Sequence, residues 1–176
     1  MATPTSWVID PTHSEIQFKV KHLVISTVTG AFKSFEGSVD TESEDFDGAT
    51  VQFSADVHSI DTNQAQRDEH LKSADFFEAE KYPKISFTGK LHKAGEGNYA
   101  LKGDLTVKST TKPFEFVVEH GGNMVDPYGN SKSGFEISGK INRKEFGLEW
   151  SAVTEAGGVV VGDDVKLIAN IQIVKQ

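Results

Sequence analysis

Residues 59–87 read SIDTNQAQRDEHLKSADFFEAEKYPKISF, and this is the one stretch of the chain whose composition favours a helix. Good helix formers dominate residues 64–72. Asn63, followed three positions later by Gln66, predicts a capping box at the start of this helix. Pro83 ends the segment, and the alternating residues after it predict a strand. We therefore expect a short helix inserted between two strands.

The predicted helix is mostly polar, since Ala65 and Leu71 are its apolar members. Two adjacent aromatic residues, Phe76 and Phe77, follow it directly. A polar helix followed by paired aromatic residues suggests a lid over the open end of a sheet or barrel. The lid prediction makes Phe76 and Phe77 candidate ligand-binding residues.

The rest of the chain alternates between apolar and polar residues, which is typical of strands with one buried face. The phase of this alternation changes at Lys33 and Ser34, and the change predicts a bend or bulge. Turn-forming residues separate about eight such strands, and no segment predicts a parallel crossover. The sequence therefore predicts an all-β fold, an antiparallel barrel of about eight strands, with a two-sheet sandwich as the alternative.

Length and composition limit the possible functions. The 176 residues predict one domain spanning residues 1–176. The net charge is 18 − 26 = −8, and no basic cluster is visible along the chain, which argues against nucleic acids and anionic membrane surfaces as partners. The absence of cysteine excludes disulfides, thiolate nucleophiles and Cys-ligated zinc.

The sequence also bears on location. No apolar run is long enough to predict a transmembrane segment. No signal peptide precedes Trp7. We expect a cytoplasmic location for the chain as written, and a periplasmic or secreted one if a leader has been removed.

One phase of the predicted strands supplies an inward set without charge. Its members are Phe18, Val20, Phe53, Ile85, Phe87, Leu101, Leu105, Phe116, Phe135, Ile137, Leu167 and Ile171. A closed barrel lined in this way suits an aliphatic or isoprenoid chain. We expect these residues to bind the ligand.

Glycine interrupts the inward phase at Gly89, Gly103 and Gly139. Glycine inside a strand marks a bulge or corner, or a site that something approaches closely. Because three of these residues share one phase, we favour a lumen kept open for an elongated guest. Gly103 and Gly139 are therefore included among the candidate ligand-binding residues.

Polar candidates are few. Arg143 continues the inward phase and is a candidate for contact with a ligand head group at the barrel rim. Arg67 and His70 lie on the lid, where a structural network is favoured over head-group contact. Asp10, His13 and Ser14 resemble a turn with side-chain hydrogen bonds more than a catalytic triad. We expect no catalytic residues, no metal site and no cofactor.

Three motifs together resemble the YceI-like family of polyisoprenoid-binding proteins. They are DPTHSEIQFKVKH at residues 10–22, the set SIDT, RDEHL, DFF and YPKISF within residues 59–87, and INRKEFGL at residues 141–148. The resemblance runs from about Trp7 to the C-terminus. It implies an extended lipocalin-like barrel that holds a polyisoprenoid, such as the tail of an isoprenoid quinone.

The function predicted from residues and resemblance together is to bind, sequester or carry an isoprenoid lipid without chemical change. Two alternatives remain. One is an isomerase or cyclase acting on a small apolar substrate in the same lumen. The other is a protein-interaction domain, since outward Ile168 and Val174 suggest a possible homodimer surface.

Overall fold

The computed structural model describes residues 4–23, 25–42, 45–148 and 161–176. These residues form one α-helix, α1 (Ala65–Lys72), and three 3₁₀ helices, at Pro11–His13, Val57–Ser59 and Arg143–Phe146. The strands of the described residues are β1 (Thr5–Ile9), β2 (Glu15–His22), β3 (Ser26–Phe32), β4 (Phe35–Thr41), β5 (Thr50–Asp56), β6 (Ile60–Asp61), β7 (Lys84–Gly95), β8 (Asn98–Val107), β9 (Thr110–Val125), β10 (Ser131–Asn142) and β11 (Val161–Lys175).

Eight of these strands close into an antiparallel barrel. The order is β1, β4, β5, β7, β8, β9, β10 and β11, and the barrel closes because β11 pairs with β1. The register at the closure matches Trp7 with Lys175 and Ile9 with Ile173. The predicted eight-stranded barrel is confirmed, and the sandwich alternative is wrong.

The three remaining strands, β2, β3 and β6, prolong the barrel at one end. β2 follows β1 along the chain and pairs with the same strand, β11. β3 precedes β4 and pairs with β2, and β6 follows β5 and pairs with β3. The wall is therefore longer on this side than on the other, which gives the extended shape that the resemblance implies.

Backbone hydrogen bonds hold the bend between β3 and β4. The amide of Lys33 donates to the carbonyl of Ser59 (3.2 Å), and the amide of Asp56 donates to the carbonyl of Ser34 (2.9 Å). At this point the strand changes partners, from β2 and β6 to β1 and β5. The bend predicted from the change of phase is confirmed.

The start of α1 differs from the prediction. Asn63 has a φ of 64°, and Gln64 occupies the cap position without a side-chain hydrogen bond. Asp68 instead accepts hydrogen bonds from the amide (2.8 Å) and the hydroxyl (2.5 Å) of Thr62. The carboxylate inside the helix therefore fixes the preceding loop, and the capping box on Asn63 is wrong. No residue of α1 is buried, which agrees with its mostly polar composition.

The interior contains two adjoining clusters of buried apolar side chains. The larger cluster includes Trp7, Phe46 and Phe135, near the start of β1 and the end of β11, and also Phe76, which follows α1. The smaller cluster consists of Phe18, Phe32, Ala55 and Ile60. We call the end of the barrel that contains Phe46 the closed end, and the end that contains α1 the lid end.

Candidate ligand-binding cavity

A cavity of about 360 Å³ lies inside the barrel, lined by residues from α1 and from every strand except β6. This volume is within the range of small-molecule sites, roughly 300–1,000 Å³. Most lining residues are aliphatic or aromatic. Among the described residues, the charged ones along the cavity are Lys21, Arg67 and Arg143, all at the lid end. Lys21 belongs to the outward phase of β2, where its Nζ donates to the hydroxyl of Thr27 (3.1 Å), so the side chains that enter the cavity are those of Arg67 and Arg143. The cavity is therefore an apolar space with its charges at one end.

The structure places all of the predicted ligand-binding residues along this cavity except Gly103 and Gly139. Those on the strands were assigned from the period of two, which fixes the face of every second residue once one strand is placed. Phe76 and Phe77 were assigned from their position after the helix. The two exceptions are glycines, and they have a different structural role.

Gly103 and Gly139 do not face open space. A Cβ on Gly103 would clash with the carbonyl oxygen of Thr88 and with Cα of Gly89, its partner across the strands. A Cβ on Gly139 would lie 2.9 Å from the rings of both Phe114 and Phe116. The open-lumen interpretation of these glycines is therefore wrong. They allow the close approach of a neighbouring strand or of aromatic rings.

Phe46 fills the closed end. It lies in the turn between β4 and β5, is 3% exposed, and contacts Trp7 at a centroid distance of 5.4 Å and Phe135 at 5.1 Å, both edge to face. The backbone beside it is fixed, because Gly48 donates to the carbonyl of Leu91 (2.8 Å). The sequence analysis did not single out this residue. The available signal was one aromatic residue in an otherwise acidic turn.

His120 completes the closed end. Its ring stacks on Phe135 at a centroid distance of 4.8 Å and meets Phe46 edge to face at 5.6 Å. Its Nε2 lies 2.7 Å from the hydroxyl of buried Ser133 and 3.1 Å from Oδ1 of Asn123. Neither His120 nor Ser133 lines the cavity. This pair therefore belongs to the packing behind Phe135.

The lid end is covered by side chains from α1 and the segment after it. Leu71, Phe76 and Phe77 all line the cavity. Phe76 is buried, and Phe77 is half-buried and meets Phe32 edge to face at 6.2 Å. The predicted position of this segment over the barrel interior agrees with these contacts.

A hydrogen-bond network fixes the lid. Arg67 donates from Nε to the hydroxyl of Thr62 (2.8 Å) and from Nη2 to its carbonyl (2.5 Å). His70 Nε2 lies 2.9 Å from Oδ2 of Asp75, and its ring meets Phe76 edge to face at 5.1 Å. Arg67 and His70 also line the cavity. The favoured structural network is therefore present, at a place where both side chains reach the lumen.

Arg143 is buried at the lid end and is 2% exposed. It donates to three backbone carbonyls: from Nε to Gly162 (2.8 Å), from Nη1 to Leu148 (2.6 Å) and from Nη2 to Val161 (3.3 Å). Burial lowers its pKa, and the charge of Asp163, 3.9 Å away, opposes that shift. Arg143 therefore joins the 3₁₀ turn after β10 to the start of β11, while it also lines the cavity.

The Asp10–His13 motif forms a turn, as expected. Asp10 accepts hydrogen bonds from the amide (3.0 Å) and hydroxyl (2.7 Å) of Thr12, and its other oxygen lies 2.7 Å from His13 Nδ1. The bonds from Thr12, with the contact to His13, lower the pKa of Asp10 to about 2. Ser14 instead bonds across the sheet, where its hydroxyl accepts from the amide of Gln172 (2.9 Å).

Within the described residues, no group of three or more His, Asp or Glu side chains is arranged to hold a metal ion. None of the helices there is long and apolar enough to cross a membrane. Ile168 and Val174 are half-buried on β11, and the homodimer suggested from them stays a prediction.

Comparison with known proteins agrees with this geometry. Residues 7–173 match the model of the YceI-like domain. A UPF0312 protein of Staphylococcus epidermidis is 37% identical over 169 residues, which cover 96% of each chain. Among solved structures, BcnA of Burkholderia cenocepacia has a TM-score of 0.79 at 22% identity, over 93% of this chain and 98% of the other.

A second solved structure is a polyisoprenoid binding domain from Saccharophagus degradans implicated in plant cell wall breakdown. It has a TM-score of 0.68 at 14% identity, over 95% of this chain and 97% of the other. At these identities the two structural comparisons establish the barrel fold. The family model and the staphylococcal relative go further, because each covers nearly the whole chain, and on their basis this chain belongs to the YceI-like family.

Proposed function

We propose that this protein binds an isoprenoid lipid, a polyisoprenoid or the tail of an isoprenoid quinone, in the barrel cavity and sequesters or carries it. The observation that supports this most is the apolar lining, continuous from Phe135 near the closed end to Val20 at the lid end. The Saccharophagus degradans domain of similar fold, described as polyisoprenoid binding, supports the choice of an isoprenoid.

The energy of binding follows from the apolar surface. Burial of each CH₂ group contributes about 0.8 kcal/mol, so one five-carbon unit contributes roughly 3–4 kcal/mol relative to water. Non-covalent affinities reach a ceiling near 18–21 kcal/mol, so additional units soon add nothing measurable. A bilayer offers the lipid nearly the same gain. Selectivity therefore depends on chain length, shape and the head group rather than on apolar area.

The arrangement of polar groups favours binding over catalysis. An enzyme acting inside the cavity needs a titratable group near the substrate. Among the described residues, those with ionisable side chains that line the cavity lie at the lid end, and three of them, Arg67, His70 and Arg143, take part in hydrogen bonds that fix the lid or the start of β11. The middle of the cavity is lined by residues such as Phe87 and Leu105, whose side chains have no titratable or nucleophilic group.

Extraction of the purified protein with organic solvent, followed by mass spectrometry, tests the proposal. We expect an isoprenoid in the extract. Ala169→Phe places a ring in the cavity and should reduce the extracted lipid. Ala100→Phe should not, because Ala100 lies on the outward face of β8, opposite to Leu101, and does not line the cavity. Recovery of straight-chain fatty acids alone would support the cavity as a lipid-binding site but reject an isoprenoid as its ligand. Equal lipid in both variants would reject the cavity as the binding site.

A further inference from the structure

The hairpin between β2 and β3 presents apolar side chains to solvent beside the cavity. Leu23 is exposed, and Ile25 is 87% exposed. Val20 and Val28, on the two strands of the same hairpin, line the cavity. A single exposed apolar residue needs no explanation. Here two exposed apolar residues, Leu23 and Ile25, lie together at the tip of a hairpin whose strands line the cavity at the lid end.

A row of lysines lies on the outer wall next to this hairpin. Lys19, Lys166 and Lys140 are in register across β2, β11 and β10, and Lys21 follows on β2. Like charges directly opposite each other on a sheet are destabilising. Lys140 is paired with Asp164 (3.3 Å), but no ion pair is found for Lys19 or Lys166 among the described residues. The barrel therefore carries uncompensated positive charge here although its net charge is −8.

The same wall becomes acidic toward the closed end. Glu119 and Glu136 are directly opposite each other on β9 and β10. Asn170 pairs with Glu136 on one side and with Glu15 on the other. Surface charges more than about 8 Å apart are largely screened at physiological ionic strength. Asp163 and Asp164 also lie at the lid end, where they pair with Lys144 (3.2 Å) and Lys140 (3.3 Å). The positive charge of Lys19 and Lys166, rather than the net charge, therefore governs what can approach the lid end.

We propose that the lid end contacts an anionic lipid bilayer, with Leu23 and Ile25 entering the head-group boundary and Lys19, Lys21, Lys140 and Lys166 facing the phosphates. Apolar side chains flanked by basic ones bind such surfaces in this way. This inference rests on the proposed function, since a lipid that leaves the bilayer at the lid end reaches the cavity without crossing water. The alternation along separate strands assembles the lysine row, so the sequence shows no basic cluster.

Co-sedimentation with vesicles tests the contact. The vesicles contain phosphatidylcholine alone or mixed with phosphatidylglycerol. One variant combines Leu23→Ser with Ile25→Ser, and a second combines Lys19→Gln with Lys166→Gln. The matched control combines Met124→Ser with Val125→Ser, because these residues are also exposed, 59% and 64%, on the β9–β10 hairpin at the closed end.

We expect binding of the wild type to the mixed vesicles, with an affinity that falls as salt is added. Each lysine removed should weaken binding about five-fold. The hairpin variant should also bind more weakly, and the control variant should bind like the wild type. A wild type that ignores mixed vesicles, or a control variant that loses as much as the lid-end variants, would overturn the inference.

A second assay separates this inference from the proposed function. Farnesol is delivered from cyclodextrin, without vesicles, and its uptake is compared with uptake from mixed vesicles. The lid-end variants should be slow from vesicles and normal from cyclodextrin. Slow uptake from both sources overturns the bilayer contact, because it assigns these residues to the cavity or to folding. Failure of the wild type to take up farnesol from cyclodextrin counts against the proposed function itself.

Discussion

At one end of the barrel Phe46 packs among Trp7, Phe135 and His120, whereas at the other end the cover is a short helix with no buried residue of its own. Both ends continue the same strands with the same alternation of faces. The closed end excludes space by packing rings edge to face. At the lid end, side chains of α1 and the segment after it cover the cavity. The helix is fixed by hydrogen bonds of Arg67 and Asp68 with Thr62, in the loop before it.

This difference indicates which end opens. Segments with few buried contacts open at a low free energy, while segments in the core open only with the whole domain. Phe46 and Phe76 both belong to the larger buried cluster, whereas Phe77 is half-buried at the margin of both clusters and α1 itself contributes no buried residue. We therefore expect the ligand to pass at the lid end, with the closed end acting as a fixed floor.

The largest effect is expected from Phe46→Ala, which removes the floor. Truncation of a buried Phe typically costs about 3–5 kcal/mol, because a cavity is left behind. Unfolding in urea should show a loss in this range. If the loss is no greater than that of Phe77→Ala, the two ends are equivalent and the comparison fails.

Gly103→Ala should have the next largest effect, because its Cβ meets the backbone of the adjacent strand. Overpacking of this kind costs about 1–3 kcal/mol. Gly134→Ala is the matched control, since nothing lies within 4 Å of its Cβ position. Thermal melting of the two lipid-free variants should separate them clearly. Similar melting temperatures would restore the open space that the sequence suggested around Gly103.

Arg143→Met should destabilise the lid end without abolishing lipid binding. The substitution removes the donors of three carbonyl contacts, one buried and two partly buried, and each buried polar group left unsatisfied costs about 1–3 kcal/mol. Relaxation of the turn and access of water should limit the total to that range. Thermal melting and farnesol binding are measured together. Weaker binding at an unchanged melting temperature would instead assign Arg143 to the ligand head group.

Phe77→Ala should act mainly on ligand release. Full burial of a Phe contributes roughly 1.5–3 kcal/mol, so a half-buried ring contributes about 1 kcal/mol to stability. The rate of farnesol release should rise, because changes at a binding surface act mostly on dissociation. Leu101→Ala, a truncation in the middle of the wall, serves as the control. Faster release from the control than from Phe77→Ala would place the exit elsewhere than the lid.

The wall of the cavity could be predicted from the sequence because a strand repeats every two residues. Once Leu105 faces inward, Leu101 must also do so, and the distant partners follow from pairing. The glycines on the same faces were misassigned for a related reason. The spacing of the glycines along a strand shows which face of the sheet they lie on, but not which side chains pack against them. The rings of Phe114 and Phe116 that cover Gly139 come from another strand.

Features outside the regular strands were harder to predict. Phe46 lies in a turn with no period, so its direction depends on the backbone bonds to Leu91. The prediction of a cap at Asn63 was wrong because the carboxylate of Asp68, six residues after Thr62, accepts the hydrogen bond from the loop before the helix. The lysine row on the outer wall is invisible along the chain, because Lys19 and Lys166 meet only through pairing of β2 with β11.

The smallest effect is expected at Asp10, in the joint between β1, which belongs to the closed end, and β2, which belongs to the lid end. Its pKa is lowered from 3.8 to about 2, first by the hydroxyl of Thr12 and then by His13. A carboxyl group with a lowered pKa in the folded state stabilises the fold above its unfolded pKa, and this contribution is lost as the pH falls through the folded value.

Asp10→Asn should therefore cost about half a kcal/mol at pH 7, because the site is close to solvent. The difference between wild type and variant should shrink between about pH 4 and pH 2. Urea unfolding across this range measures it, and a difference that stays constant as the pH falls would show that the charge of Asp10 does not hold the joint.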